Sequence, residues 1–247
     1  MAFAESMQGD FFDGAVLSAA TLVMTAALEL TAIPTVRGLC RQAGGRQLYL
    51  KGLAMNVINL ASASLTYTLL VPMLCSPDDW EYGRRIRGVV LLLTTHAIVY
   101  WAVHKAMHTK ALYWMHRFHH RFNKHVPPSA ANAVSIYEFT AAYGGPFIVG
   151  GLLFGSDRVT LQIAITVNYL LSALVHTPWM QAWSKEAMPW FLVTAHDHME
   201  HHRLLNKHYA SPTWNVDRIL AWLSAEPEVH TKRCATPRLG ACRPCRR

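Results

Sequence analysis

Residues 88–108 read GVVLLLTTHAIVYWAVHKAMH and combine the two features that dominate this sequence. The stretch is apolar over about 20 residues, the length that an α-helix needs to cross the hydrocarbon core of a bilayer. It ends in His104 and His108, which are four residues apart and therefore lie on one face of a helix. The sequence thus predicts a membrane helix that carries a histidine pair at its carboxyl end.

Apolar stretches on both sides of this segment predict an all-α membrane bundle of about four to five spans. They cover residues 14–36, 52–75, 88–108, 139–155 and 158–178. The stretch 139–155 is short for a span, and we expect it to pair with 158–178 as a hairpin. Asn56 and Asn59 interrupt the second stretch, and we expect both to face the interior of the bundle.

The composition also indicates a membrane protein. Hydrophobic residues make up 52% of the 247 residues and charged residues only 15%, against roughly 25% charged residues in a soluble domain. We interpret the formal net charge of +8 as cytosolic loops that face anionic lipid. No basic run is interleaved with aromatic residues, so nucleic acid is not an expected partner. The five cysteines are irregularly spaced and define no disulfide framework.

The charges of the short loops predict the orientation in the membrane. The loop after the first stretch contains only basic charges, at Arg37, Arg41, Arg46 and Lys51, whereas the next loop mixes acids with arginines. By the positive-inside rule the first loop is cytosolic. The amino terminus is then outside, and both histidine-rich regions fall on the cytosolic side.

The histidines form three patterns that are typical of metal ligands. They are H-x3-H at His104 and His108, H-x2-H-H at His116, His119 and His120, and H-x2-H-H at His198, His201 and His202. On a helix, each pattern presents its imidazoles as one row. Neutral imidazole binds iron, zinc and copper, and eight such ligands exceed the four that one zinc ion takes. The patterns therefore predict two ions, against the alternative of a solvated basic face.

The remaining histidines carry weaker signals. His125 and His208 fit a supporting role beside the ligands and a plain surface position equally well. His96 lies inside the third apolar stretch, and we do not expect it to be a ligand. We favour His198 over His196 as a ligand because His198 completes the second H-x2-H-H pattern.

From about Tyr100 to Leu223 the chain resembles the fatty acid hydroxylase and sterol desaturase superfamily of membrane di-iron enzymes. The resemblance rests on the three histidine patterns and on the closing segment Trp214-x2-Asp217-Arg218-Ile219-Leu220. It implies a small helical membrane bundle with a cytosolic, histidine-rich helical cap that carries the metals. Lys105, Ala97 and the segment 135–138 depart from the usual family pattern, which leaves the subfamily open.

His176 joins the predicted ligands because of its depth and because the family commonly has a histidine there. Counted from Gly88, His104 and His108 lie about 24 and 30 Å along their helix, and His176 lies about 27 Å beyond Arg158. The alternative is an interfacial histidine. The predicted metal ligands are His104, His108, His116, His119, His120, His176, His198, His201 and His202.

The predicted function is O2-dependent hydroxylation or desaturation of a sterol or fatty acyl lipid. Iron is favoured over zinc because zinc has no redox chemistry, although zinc is an expected substitute in purified protein. The sequence has no dinucleotide-binding glycine fingerprint and no haem module, so electrons come from an external donor. The resemblance implies a cytochrome b5-type donor and the endoplasmic reticulum. The alternative is a catalytically inactive or metal-handling membrane protein.

Further expectations concern the surroundings of the metals. No catalytic side chain is predicted beyond the ligands themselves. Glu138 and Asp197 are candidates to orient imidazoles, with solvated carboxylates as the alternative. Tyr100 and Trp101 are candidates to line the lipid's path, with anchoring at the membrane interface as the alternative. Basic residues near the patterns form a candidate docking surface for an acidic donor: Lys105, Lys110, Arg117, Arg121 and Lys124.

We expect three parts along the chain. Residues 1–86 are the N-terminal spans, residues 87–225 the catalytic domain, and residues 226–247 a basic, disordered tail. The tail contains the ligand types of a zinc site, at His230, Cys234, Cys242 and Cys245. Because apolar residues that would form a small core do not flank them, the disordered tail is favoured.

Overall fold

The computed structural model describes residues 2–77 and 79–224, with side chains from residue 7 onward, and in these ranges the chain is helical without any β-strand. The long helices are α1 (Ala2–Thr31), α3 (Gly45–Leu74), α4 (Tyr82–Met107) and α8 (Arg158–Val175). The shorter ones are α2 (Ile33–Cys40), α5 (Tyr113–His116), α6 (Ile136–Glu138), α7 (Gly145–Phe154), α9 (Met180–Ala187), α10 (Ala195–Leu204) and α11 (Val216–Ser224). Two 3₁₀ turns, His119–Arg121 and Pro128–Asn132, and one π-helical segment, Phe139–Gly144, complete the described chain.

Four helices are long and apolar enough to cross a bilayer. They are α1 from Met7 onward, α3, α4 and α8. The predicted all-α membrane bundle is thereby confirmed. The tail, which we expect to be disordered, and its candidate zinc ligands lie outside the described residues, and the division of the chain at residues 86 and 225 stays a prediction.

The apolar stretch 139–155 is not a regular α-helix throughout. It consists of the π-helical segment and α7, which continue α6 without a gap from Ile136 to Phe154. The expected packing of this stretch against α8 is wrong, since α7 packs mainly against α4. Gly150 allows α7 to approach α4 closely, because a Cβ atom at this position would lie only 3.0 Å from the side chain of Leu92 on α4.

Polar contacts mark the two ends of the bundle. At one end, Asp157 caps α8 and accepts hydrogen bonds from the backbone of Trp80 and the guanidinium of Arg85. At the other end, α4 and α8 finish at His108 and His176. The chain returns between these ends through Ile136–Phe154, so both histidine-rich regions lie at the same end, as the alternation of spans predicts.

The two asparagines of α3 face the interior, as expected, and anchor a buried loop. Asn56 donates to the carbonyl oxygen of Ser129, and Asn59 donates to those of Asn132 and Val134, at 2.8 to 3.0 Å. Buried carbonyl groups in a membrane bundle need such partners because water is absent. The loop that covers the histidine end is therefore fixed to a membrane helix.

Accessible labelling tests the orientation. Single cysteines at Ala43 and Lys124 lie at the histidine end and are exposed, whereas Asp79 is exposed at the opposite end. We expect a membrane-impermeant thiol reagent applied from the cytosolic side to modify the first two and not the third. Modification of position 79 alone would place the histidines on the outer side.

Candidate metal centre

Four separate parts of the chain bring nine histidines to one end of the bundle. The end of α4 supplies His104 and His108, and the residue that caps α8 is His176. Helix α5 and the 3₁₀ turn after it supply His116, His119 and His120. Helix α10 supplies His198, His201 and His202.

These side chains form two groups in which the potential ligand atoms all lie within 4.8 Å of one another. The five-histidine group contains His104, His108, His116, His120 and His201. The four-histidine group contains His119, His176, His198 and His202. Every predicted ligand belongs to one of them, and His96, His125, His196 and His208 belong to neither.

His104 and His108 of the H-x3-H pattern lie in one group, as expected, but for the two H-x2-H-H patterns the expectation of one row per pattern is wrong. His116 and His120 join one group while His119 joins the other, and His201 is separated in the same way from His198 and His202. On α10 the reason is the helix period, because residues four apart share a face more closely than their neighbours do. Each H-x2-H-H pattern therefore serves both groups and holds them next to each other.

Backbone carbonyls determine which ring nitrogen is free in three of these histidines. Nδ1 of His104 donates a hydrogen bond to the carbonyl oxygen of Tyr209. In the same way, Nδ1 of His176 donates to the carbonyl of Ser172, and Nδ1 of His201 donates to the carbonyl of Lys207, and the three bonds measure 2.7 to 2.9 Å. A carbonyl only accepts, so in the neutral ring Nε2 carries a bare lone pair. His201 Nε2 is buried and has no hydrogen-bond partner in the described chain.

A buried ring nitrogen with a lone pair costs free energy unless it has a hydrogen-bond donor or a cation as partner. The neighbours of these nitrogens fit a cation. Nε2 of His104 lies 2.9 Å from Nε2 of His116, and Nε2 of His176 lies 2.9 Å from Nε2 of His198. A metal ion satisfies several converging lone pairs at once, with the outer ring nitrogens held by hydrogen bonds. Both groups therefore fit metal ions.

Glu138 holds His116 from behind. Its Oε1 atom accepts a hydrogen bond from His116 Nδ1 at 2.7 Å, and its side chain is buried. Burial raises the pKa of Glu138 well above its usual value, so the carboxylate form needs positive charge nearby, which an ion bound to His116 would supply. This contact agrees with the expected orienting role of Glu138.

The electrostatic environment keeps the imidazoles neutral, which is the form that binds metal. Burial, followed by the neighbouring imidazoles, lowers the pKa of His119, His198 and His202 well below the usual value. Burial also lowers the pKa of His108 and of His176 to about 4. A cluster of this kind stays uncharged at neutral pH.

Other residues that the sequence singled out lie elsewhere. Asp197 does not hydrogen-bond to a member of either group but binds Arg218 at 2.8 Å and Asn215 at 3.3 Å, so it fixes α11 to α10. Trp101 donates to Asp217 and lies under Lys105. His208 pairs with Glu200 at 3.0 Å. Sequence reasoning missed the carbonyls of Ser172, Lys207 and Tyr209, because backbone oxygens have no residue signature.

Two cavities lie in the described part of the bundle. The inner pocket touches His176 and His198 and is also lined by Tyr100 and Tyr143, but its free volume is about 0 Å³. The apolar cleft is larger, with a cavity volume of about 100 Å³, and runs between α1, α3, the π-helical segment and α8. Tyr143 lines both cavities, and none of the described lining residues of the cleft is a histidine. The cleft is therefore an apolar space among the membrane helices, and the candidate role of Tyr100 in lining a lipid's path stays a prediction.

Together these features define an integral membrane protein with a buried, nine-histidine centre at one end of a helical bundle. The sequence model of the Fatty acid hydroxylase family matches residues 89–221, more than half of the chain. The chain belongs to this family of membrane lipid hydroxylases and desaturases, which confirms the resemblance seen in the sequence. No curated protein and no solved structure matches the chain.

The lowered pKa values predict how stability depends on pH in the metal-stripped protein. In the unfolded chain the imidazoles take up protons near pH 6.5, whereas in the folded chain His108 and His176 do so only near pKa values of about 4. Between about pH 6.5 and pH 4 the unfolded state therefore binds more protons than the folded state. The contribution of these histidines to the free energy of unfolding is fully present above about pH 6.5 and is lost as the pH falls toward about 4.

Thermal unfolding at a series of pH values measures this effect. We expect the midpoint temperature of unfolding to fall as the pH is lowered from about 6.5 to about 4. The free energy of unfolding decreases by up to about 3 kcal/mol per fully buried imidazole. The variant His176→Gln removes one such group and makes the decline shallower. A midpoint that is constant or rises toward acid pH would contradict the assignment of neutral, buried histidines.

Proposed function

We propose that this protein is a di-iron enzyme that uses O2 to hydroxylate or desaturate a lipid of the sterol or fatty acyl type. The observation that carries the proposal is the pair of adjacent histidine groups, buried and neutral, at one end of a bundle whose membrane helices also enclose an apolar cleft. Family membership supports the same reaction class.

In this proposal the nine histidines hold two iron ions, one in each group. Ferrous ions at these positions supply the redox chemistry with O2 that zinc lacks. The chain positions the ligands through Glu138 and the carbonyls behind His104, His176 and His201. Burial of both groups excludes bulk water, which protects a reactive centre from side reactions.

The substrate in this proposal is a lipid because the apolar cleft lies among the membrane helices of the bundle. The inner pocket and the apolar cleft contain no lysine, arginine, aspartate or glutamate among their described lining residues. A charged, water-soluble substrate finds no partner there. We place the enzyme in the endoplasmic reticulum, with the histidine end facing the cytosol.

Lipid analysis and metal analysis of paired variants test the proposal. The chain is expressed in a host that lacks the matching lipid oxidase, and lipid extracts are compared by mass spectrometry. We expect a lipid that has gained one oxygen atom or lost two hydrogens, and about two irons per purified chain.

Adjacent residues serve as matched variants because they belong to different groups. His201→Ala and His202→Ala each lose about one of the two irons, from the five- and four-histidine groups respectively, and both abolish turnover. His125→Ala and His196→Ala are controls that keep iron and activity. Wild-type turnover in several ligand variants would end the di-iron proposal, and metal without any lipid product would support the alternative of an inactive or metal-handling protein.

The electron donor in this proposal is an acidic protein of the cytochrome b5 type. Lys105, Lys110, Arg117, Arg121 and Lys124 are all exposed at the histidine end, in the segment that carries the ligands. A positive surface there attracts an acidic partner and raises its association rate, more so at low salt.

Charge reversal tests this docking surface. We expect Arg117→Glu with Lys124→Glu to raise the KM for the donor about tenfold at low salt, while turnover driven by a small chemical reductant stays normal. Arg87→Glu is the control, because Arg87 is exposed at the opposite end of the bundle. Equal effects of the two variants would exclude this surface as the donor site.

A further inference from the structure

The chain that follows α10 does not stay at the histidine end of the bundle but runs back along the membrane helix α4. The indole Nε1 of Trp214 donates a hydrogen bond to Oγ1 of Thr94 on α4 at 3.1 Å. Thr94 lies seven residues after Arg87 and eleven residues before Lys105, the nearest lysine or arginine on either side. At 1.5 Å per residue these separations are about 10 and 16 Å, so Thr94 is inside the apolar part of the span.

Pro212 gives a second, independent measure of this depth. It lines the inner pocket, which extends from His176 and His198 to His96 on α4 and Asn168 on α8. His96 and Asn168 each precede a member of the histidine groups by eight residues on the same helix, so they lie about 12 Å further into the membrane. The segment before α11 therefore packs against the spans below the histidines.

The backbone of this segment is irregular, but it makes hydrogen bonds within the protein. The amide of Val193 donates to the carbonyl oxygen of Thr213 at 3.1 Å, and the amide of Asn215 donates to that of Phe191 at 2.7 Å. Residues 210–213 are buried. Irregular backbone at membrane depth requires such internal partners, because lipid offers none. The pairing of residues 191–193 with residues 213–215 therefore suits a segment that lies in the membrane.

Helix α11 exposes apolar side chains, while its two charged residues bond to the protein. Asp217 accepts a hydrogen bond from Nε1 of Trp101 on α4 at 2.9 Å. Arg218 donates to Asp197 on α10 at 2.8 Å. The large side chains that the helix exposes are Leu220, Trp222 and Leu223. A surface helix in water has its charged residues outside and its apolar residues inside, so the arrangement of α11 suits contact with lipid.

Two aromatic residues of the loop after α9 extend this apolar surface. The ring of Trp190 lies 6.0 Å from that of Trp222 and 6.0 Å from that of Phe191, and all three side chains are exposed. The apolar patch consists of Trp190, Phe191, Leu220, Trp222 and Leu223. Exposed patches of this kind mark interaction surfaces, and tryptophan is enriched where proteins meet the membrane interface.

The face of α4 against which the segment packs is itself exposed to lipid. Thr94 and Trp101, which bond to Trp214 and Asp217, lie on one face of α4 together with Ile98, at helical spacing. Ile98 is 55% exposed. The segment and the apolar patch are therefore continuous with the lipid-facing side of a membrane span.

We propose that residues 190–193 and 210–224 form a re-entrant element whose apolar patch lies in the lipid of the histidine-side leaflet, beside α4. The occupant of the patch is the hydrocarbon of bilayer lipid. A cap in which this part of the chain lies in water is the alternative. The inference rests on the membrane spans and is independent of the proposed reaction.

The sequence beyond α11 does not complement the patch. Residues 231–247 contain no acidic residue and six basic ones, which are Lys232, Arg233, Arg238, Arg243, Arg246 and Arg247. Such a sequence is attracted to anionic lipid headgroups. A basic stretch that follows a lipid-embedded helix fits the same membrane surface, and it offers no apolar side that would cover the patch.

Photocrosslinking of the full-length protein tests the element. Benzoylphenylalanine is introduced at Trp222 or at Leu223, and the protein is reconstituted in vesicles of dioleoyl phosphatidylcholine and irradiated. Adducts are identified by mass spectrometry, with fragmentation to locate them on the acyl chain or on the headgroup. We expect both positions to form adducts with the acyl chain, because the patch lies in hydrocarbon.

Two reference positions calibrate the yield. Ile98 is exposed on the lipid-facing side of α4 and is expected to form acyl-chain adducts, whereas Lys124 is exposed at the histidine end and is expected to form none. The far-ultraviolet circular dichroism of each variant reports that the helices are intact. If the probe at Trp222 or Leu223 disturbs the fold, Leu220 is the third position, since it is exposed on the same helix.

Two results would overturn the proposal. Patch positions that form no lipid adduct, as at Lys124, would place the patch in water. Crosslinks to a peptide of the same chain or of a second copy would show that protein covers it. Neither result bears on the proposed reaction, because no step of this test uses metal or turnover. Acyl-chain adducts from a protein that yields no oxidised lipid would keep the element and contradict the enzyme.

Discussion

The constraint on which the rest of the structure depends is the placement of nine imidazoles, eight of them buried, at one end of a membrane bundle. Imidazoles in such number can be buried together only as neutral rings, because repulsion and desolvation both oppose protonation. In the neutral rings of His104, His176 and His201 the nitrogen that is not bonded to a backbone carbonyl carries a lone pair, which fits a cation. The fit to metal ions, the neutral state of the histidines and the exclusion of water are thus consequences of a single arrangement.

That arrangement needs support from parts of the chain that hold no ligand. Asn56 and Asn59 fasten the buried loop over the histidine end, and Glu29 accepts hydrogen bonds from Ser129 of the same loop. Asp197 accepts a hydrogen bond from Arg218 of α11, and Asp217 of α11 accepts one from the backbone of Ala210. These contacts hold the segment before α11 so that the carbonyl of Tyr209 reaches His104. The contacts of Asn56, Asn59 and Glu29 are made by membrane helices, where polar groups must find their partners within the protein. These polar residues of the spans therefore support the histidine centre as well as the fold.

The cavities differ in how they relate to this centre. The apolar cleft lies among the membrane helices, and none of its described lining residues is a histidine. The inner pocket touches His176 and His198 but has almost no free volume. In small-molecule sites apolar walls commonly give affinity and a few polar groups set orientation, and the cleft has the apolar walls of such a site.

Much of this protein was determined by the sequence alone, because the signals were local. Apolar stretches of membrane length, loop charges and histidines at helical spacing require no knowledge of distant contacts, and they identified the all-α bundle, the family and the histidines that converge. Tertiary structure alone decided how His119 separates from His120, that α7 packs on α4, and that Asp197 binds Arg218. These depend on which residues, distant in the chain, meet in space, and carbonyl partners such as Ser172 and Tyr209 have no side-chain signature at all.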